Sequence, residues 1–453
     1  MEKQERSGDE PASQRQMRKS EERIRAVLDE KSFIELREHT DGAAGGYGLI
    51  EGRLVFIYAQ DPDDQGGIMT PRQAEKIEKI YDMAEKMHAP VIELLDSAGV
   101  QVASAMDSLM AFGRVLRKKS ELKGIIPMIT AVFGNCGGSQ AVCAQMSDFL
   151  LLENQAQLYL IPSDAVIGNK DEKLQSADHQ EKSGNIDFKG TTEELAEKIR
   201  SLISFLPKDN LGGYEYEPAE DSLNRAAENF SQLHGENAVI ELADDRIFLR
   251  RKALSESGIA SGLIRMNGQT VGVIANENPE VSAKGLREAA EWLRFCGAFR
   301  IPMLTICEAS SFNRDERNAA HLLSSCRELI FAKACVESGT VTIIKKAEGL
   351  PGMLFAGRSA DSDLILAETD AEVKVMDSRA AAEILGGNAE EFDAEQNSLQ
   401  AAENRGLIDL VVRPEEMRQQ VCGAFEMQFS GSAYSLADQA LSAERKRAWS
   451  IRK

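Results

Sequence analysis

Two glycine-rich turns hold the residues best suited to chemistry. The first runs Gly134-Asn135-Cys136-Gly137-Gly138-Ser139 and the second Gly349-Leu350-Pro351-Gly352. A short apolar run precedes each, residues 128–132 and 341–344, and the first leads into helically spaced Ala141, Val142 and Met146. A strand that turns into a helix aims several backbone N–H groups at one point, where the helix dipole adds about half a positive charge. Such a point suits a phosphate or a developing oxyanion. The phosphate patterns are missing: no G-x-G-x-x-G with a following acid and no G-x-x-x-x-G-K-[ST] occurs. An oxyanion turn is the better functional reading, with tight packing of a strand end as its plain competitor.

Other reactive side chains offer less. Seven cysteines with no C-x-x-C pair fit a reducing, cytoplasmic setting better than a disulfide framework. Cys136 lies in the first turn, where a buried apolar filler is its simpler role. His39, His88, His179, His234 and His321 have no metal-ligand spacing and no Cys/His cluster suggests zinc, so no metal is expected. A net charge of −20 argues against nucleic-acid partners, which call for clustered Lys and Arg. The most apolar stretch, residues 124–134, contains Pro127 and is about half the roughly 20 residues a membrane span needs.

The turns need elements to hold them, and the chain supplies the same elements twice. Gly48 to Arg53 turns into a return strand over 55–60, and Gly262-Leu263-Ile264 leads through Asn267-Gly268, a hairpin signal, into 271–276. Thr70, Pro71 and Gln73 mark a capped helix start, followed by Ile77, Ile80, Tyr81, Ala84 and Met87 at helical spacing. The counterpart starts near Ser282 and carries Leu286, Ala289, Ala290, Leu293 and Cys296. Pro90 and Pro302 then open continuous apolar runs suited to strands buried on both faces. The units close on residues 148–152 and 363–366, and matching landmarks lie 212 to 215 positions apart. The chain therefore reads as an α/β duplication. Residues 1–20 form a disordered extension, 21–245 a first domain with an acidic excursion over 164–245, 246–430 a second domain and 431–453 a polar tail. An amphipathic helix is expected over 191–206, and helices near 245–257 are expected to open the second domain.

From about Ile24 to Arg418 the chain resembles the carboxyltransferase subunits of biotin-dependent acyl-CoA carboxylases and methylmalonyl-CoA decarboxylases. The likeness rests on residues 28–36, Tyr58-Ala59-Gln60-Asp61 with Gly66-Gly67, Met87-His88-Ala89-Pro90, Asp96-Ser97, 124–127, the first turn through Asp148-Phe149, 271–276, 293–302 and Arg405-Gly406-Leu407-Ile408-Asp409. It implies two tandem crotonase-like domains, each a β-β-α superhelix. It implies an acyl-CoA bound by the first domain of one subunit, and carboxybiotin, carried on a separate protein, presented by the second domain of a neighbour. The implied activity moves a carboxyl group between carboxybiotin and the α-carbon of a short acyl-CoA of the propionyl or methylmalonyl type. Implied partners are a biotin carrier protein, a biotin carboxylase or membrane decarboxylase subunit, and the chain itself or a carboxyltransferase paralogue in a dimer or hexamer.

Carried over by motif, the resemblance implies binding roles for Gly66, Gly67, Asp96, Ser97, Ala98, Gly99 and Gly137. It puts the first oxyanion turn at Gly138 and Ser139, and the second at Gly349, Leu350 and Gly352. The family's second Gly-Ala pair falls on Leu350 and Pro351, and proline has no N–H. A shifted turn would use Gly352 and Met353, since Gly352 lies 215 after Gly137. Ala309 to Phe312 replaces a family Pro-Gly, and Ala98-Gly99-Val100-Gln101 replaces Gly-Gly-Ala-Arg. These departures expect little transfer by the chain alone and keep a second reading open: a catalytically degenerate structural or acyl-CoA-binding subunit. A crotonase-type hydratase or isomerase would need paired carboxylates, for which Asp96 and Asp107 are the nearest acids. Lys86, in a faint biotin-attachment pattern with Met87, falls on the polar side of a helix instead.

Overall fold

The structure, a computed structural model, describes residues 17–36, 42–97, 99, 105–161, 172–211, 216–357 and 362–432. Its first half runs α1 (Lys19–Val27), β1 (Ile34–Glu35), β2 (Ala43–Ile50), β3 (Arg53–Gln60), α2 (Pro71–Met87), β4 (Val91–Ser97), α3 (Ala105–Leu122), β5 (Met128–Gly137), α4 (Ser139–Gln145), β6 (Phe149–Glu153) and β7 (Gln157–Tyr159). It continues with α5 (Ala177–Ser183), β8 (Phe188–Gly190) and α6 (Thr192–Phe205). The second half runs α7 (Gly235–Leu242), β9 (Leu249–Arg251), β10 (Ile259–Met266), β11 (Gln269–Asn276), β12 (Glu280–Val281), α8 (Ala283–Ala298), β13 (Met303–Ala309), β14 (Ser311–Phe312), α9 (Glu316–Lys333), β15 (Thr340–Glu348) and α10 (Gly349–Ala356). It ends with β16 (Leu364–Lys374), α11 (Ser378–Leu385), α12 (Ala389–Gln396), α13 (Leu399–Asn404), β17 (Leu410–Val412) and α14 (Met417–Ser432).

Local chemistry sets the repeated parts. Each half opens on an antiparallel hairpin turned by two left-handed residues, Glu51-Gly52 (φ 51° and 77°) and Asn267-Gly268 (φ 51° and 75°). The Thr70 hydroxyl accepts the Gln73 N–H at 3.1 Å with Pro71 at the first helical position, and Ser282 caps Gly285 N–H at 2.9 Å. Helices α2 and α8 both give way to left-handed residues, His88 (φ 52°) and Arg300 (φ 56°), before the buried strands.

The two sheets have one topology. The order β1-β2-β3-β4-β5-β6-β8 recurs as β9-β10-β11-β13-β15-β16-β17, with parallel pairing from β3 and from β11 onward. Strand pairing also fixes the true spacing of the repeat. Val91 opposite Met128 corresponds to Met303 opposite Thr340, an offset of 212 in both strands. Past an irregularity, Ser97 faces Cys136 whereas Ala309 faces Ala347, because β5 bulges by one residue more than β15. The offset at the glycine turns is therefore 211 rather than 215. Gly349 corresponds to Gly138, and Gly352 to Ala141 rather than to Gly137.

Three cores layer the molecule. One lies between the first sheet and α2 with α3, and one between the second sheet and α7 with α14. The largest lies between the sheets and joins α1 and α6 to α8 and α9. Phe149 of β6 meets Trp292 and Phe295 of α8 edge-on, with centroids 6.1 and 5.3 Å apart. The segment read from sequence as an excursion supplies β8 to the first sheet and α6 to this shared core. The helices expected near 245–257 are not formed. A single tight turn at Asp244–Arg246 leads into β9, whose Arg251 is fixed by Asp187 and Glu291 at 2.8 Å each. No helix among the described residues is long and apolar enough to cross a membrane.

Candidate active site

Strands β4 and β5 keep regular register to Leu95 and Val132, then bulge around Asp96. Glycine makes the crowding there tolerable. A Cβ on Gly134 would lie 2.2 Å from Asp96 Oδ1, and one on Gly67 2.2 Å from the Asp96 carbonyl oxygen. Arg23 Nη2 donates to Asp96 Oδ2 at 2.7 Å, and the Asp96 N–H donates to Gln60 Oε1 at 3.2 Å. The Arg23 guanidinium also lies over the Phe133 ring at 4.6 Å. Gly66 and Gly67 turn with φ of 69° and 64°. The Ser97 hydroxyl bonds the Gly99 backbone, whose carbonyl accepts the Met69 N–H at 2.8 Å. The structure thus gathers Gly66, Gly67, Asp96, Ser97 and Gly99 into one knot; Ala98, Val100 and Gln101 lie outside the described residues.

Strand β5 continues through Gly137, so the turn proper is Gly138 alone, with φ 59° and ψ −129°. A Cβ on Gly137 would strike the Tyr159 ring at 2.3 Å, which makes Gly137 a packing glycine. The Gly138 N–H donates to the Tyr159 carbonyl at 2.9 Å, so it is committed and cannot be half of the expected donor pair. The opening turn of α4 leaves the Ser139 and Gln140 N–H groups without intrahelical partners. Gln140 is only 4% exposed, and its Nε2 is a buried donor with no acceptor among the described residues. Sequence reasoning passed over Gln140 and Arg23. A long polar side chain at a buried helix start was the available signal for the first, and nothing local marked the second. Burial pushes the Cys136 and Cys143 thiols up, Cys143 to about 12, which suits fillers rather than nucleophiles.

The second turn repeats the positive φ of the first but not its donors. Gly349 has φ 53°, Leu350 follows half-exposed, and Pro351 lies buried in the first turn of α10 where the first half has Gln140. A Cβ on Gly352 would sit 2.6 Å from the Ala347 carbonyl carbon, so Gly352 too is there for packing. At the end of β13, Glu308 takes the place of Asp96. Its N–H donates to Asn276 Oδ1 at 3.1 Å, and His234 Nδ1 lies 2.6 Å from its Oε2. The trio Gln60, Asp96 and Arg23 thus recurs as Asn276, Glu308 and His234.

Among the described residues, paired carboxylates are not assembled at the first turn: Asp96 is matched by Arg23, and Asp107 stands exposed on α3. Lys86 stands exposed on α2. Among the described residues no His, Cys, Asp or Glu cluster is arranged to hold a metal ion. The fold and two matched strand-turn-helix junctions invite comparison with known proteins, and the family model described as the carboxyl transferase domain matches residues 18–440. The chain belongs to the carboxyl transferase family. Among its relatives, the propionyl-CoA carboxylase beta chain of Cereibacter sphaeroides is 31% identical, over 89% of each chain. The methylmalonyl-CoA decarboxylase subunit alpha of Propionigenium modestum is 27% identical, over 90% of this chain and 89% of its own. The transcarboxylase 12S structure, a hexamer core with hydrolysed methylmalonyl-coenzyme A bound, superposes with a TM-score of 0.86 at 23% identity, over 91% of this chain and 89% of the other. This carboxyl transferase therefore has the duplicated crotonase-like fold expected from its sequence.

Proposed function

We propose that the chain is the carboxyltransferase subunit of a biotin-dependent acyl-CoA carboxylase or decarboxylase, acting on a short acyl-CoA of the propionyl or methylmalonyl type. The carrying observation is a family match that spans both matched turns. When bound, carboxybiotin would supply the carboxyl group, and the ureido nitrogen freed by its departure would take up the α-proton of the thioester. The Ser139 and Gln140 N–H groups hold the thioester oxygen as it gains negative charge, and Gln140 Nε2, buried without an acceptor among the described residues, fits a third contact. Leu350 N–H, in the second turn, would hold the ureido oxygen of the bound biotin. Gly66, Gly67, Ser97 and Gly99 line the acyl-CoA approach, and a neighbouring copy or paralogue completes the site. A biotin carrier protein, with a carboxylase or membrane decarboxylase subunit, delivers the carboxyl group.

One observation favours the second reading, a slow subunit kept beside a better-matching paralogue: Pro351 removes an N–H that the first turn retains. The reading is tested with Gln140→Pro, a residue the matched position in α10 already accommodates. Losing this donor should cut carboxyl transfer to an acyl-CoA about 10²-fold with the melting temperature held. Transfer unchanged in Gln140→Pro would remove the first turn from the mechanism.

A further inference from the structure

Both donor helices are gripped at their far ends by a buried lysine. In the first half Lys119, from the last turn of α3, is fully buried. Its Nζ donates to Ser147 Oγ, just past α4, at 2.8 Å, and pairs with Glu93 at 2.6 Å. Glu93 is also fully buried and accepts from Thr130 Oγ1 at 2.6 Å and from the Tyr81 hydroxyl. In the second half Lys333, the last residue of α9, is 8% exposed and donates to the Phe355 carbonyl in the last turn of α10 at 2.9 Å. The two lysines sit on matching 18-residue helices that start 211 apart, Lys119 three positions before the end of α3 and Lys333 at the end of α9, so they reach their donor helices from different positions of the repeat. A buried lysine is costly unless it is partnered. A cation at a helix C-terminus also meets the carbonyls left without N–H partners there.

Resting on the proposed roles of the two turns, we propose that Lys119 and Lys333 are positioning residues that set where the α4 and α10 N–H groups point. Each lysine governs its own turn: Lys119 the acyl-CoA side and Lys333 the biotin side. Helices α4 and α10 span only 7 and 8 residues, so a shift at one end is carried to the other. A displacement of about 1 Å at a reacting centre costs roughly 10²-fold in rate.

The test replaces the first pair by apolar groups of similar shape, Glu93→Leu with Lys119→Met, and separately makes Lys333→Met and Lys333→Gln in the full chain. Amide hydrogen exchange is read at residues 139–141 and 349–352, alongside kcat and KM for acyl-CoA and for free biotin. The first variant should speed exchange at 139–141 only. It should lower kcat ten- to a hundredfold, with KM for free biotin unchanged. Lys333→Met should do the reverse, and Lys333→Gln, which keeps a donor, should recover part of the loss. Unchanged exchange at the matching turn, or equal loosening of both turns by either variant, would overturn the proposal. A wild-type chain without transfer activity counts against the functional reading alone, because the exchange pattern still decides the positioning role.

Discussion

Pro351 occupies the position that Gln140 holds in the first half, so one turn carries an N–H and a buried amide where the other carries a ring. Pro351→Ala restores the missing donor without lengthening the side chain, and it should raise carboxyl transfer tenfold or more in a coupled assay. No gain would show that Leu350 and its surroundings suffice. Gly138 offers a second test. A Cβ there meets nothing nearer than the Leu160 carbonyl oxygen at 3.9 Å, so Gly138→Ala is penalised by backbone conformation and not by a clash. It should cost about 1–3 kcal/mol in denaturant unfolding, with the packing of α4 otherwise intact. The glycines advertised both turns in the sequence because a strand end with positive φ needs them. Which amides are free was not legible. That depends on the Tyr159 carbonyl, which arrives from a different strand, and on one extra bulge residue in β5.

At the scale of elements, the helices were the readable part. Thr70 with Pro71, and Thr191 with Glu194, announce helix starts through caps made within four residues, so no tertiary information is needed. Strand β9 was unreadable for the opposite reason. Its three residues include Arg250 and Arg251, which no strand propensity favours, and pairing with β10 together with ion pairs to Asp187, Glu236, Glu277 and Glu291 creates it. Beside β9 and β8, Lys198 of α6 lies over the Phe188 ring at 5.1 Å. Burial lowers its pKa to about 8, with Asp187 only partly opposing. The unfolded chain holds that proton up to about pH 10.4. Between pH 8 and about 10.4 the unfolded state therefore binds more protons, and this lysine makes stability rise with pH across that window. Urea unfolding of the wild type against Lys198→Met should show the difference shrinking from pH 8 to 10. A constant difference would place Lys198 in water.

For the whole molecule, the shared core makes the halves one folding unit. Trp292 is 1% exposed and lies in contact range of Phe149, Phe295 and Arg251. Trp292→Ala should cost about 3–5 kcal/mol and still leave a single calorimetric transition. Residues 1–245 expressed alone should expose the α1 and α6 side of the first sheet and bind a hydrophobic dye. Two separate transitions in the full chain would contradict this. Duplication itself was legible, because hairpin signals and prolines repeat in one order. The way the copies lie against each other was not, since aromatic contact between Phe149 and α8 leaves no periodic trace.

That arrangement is heterologous: the α1–α6 face of one copy meets the α8–α9 face of the other, and those are different faces of the repeat. Contacts of this kind propagate without limit unless something stops them. The stop is written on α2 and α3, the counterparts of α8 and α9, where Glu78 with Arg114, Lys118 with Asp82 and Glu85, and Arg117 with Glu121 form an ionic coat. The aromatic belt of α8 has no equivalent there. The gene duplication that built this chain thus put ion pairs on α2 and α3 where α8 carries aromatic rings, as a terminal repeat turns a polar face outward in a solenoid, and the apolar side chains left exposed on α3 are confined to its first turns, at Met106, Leu109 and Met110.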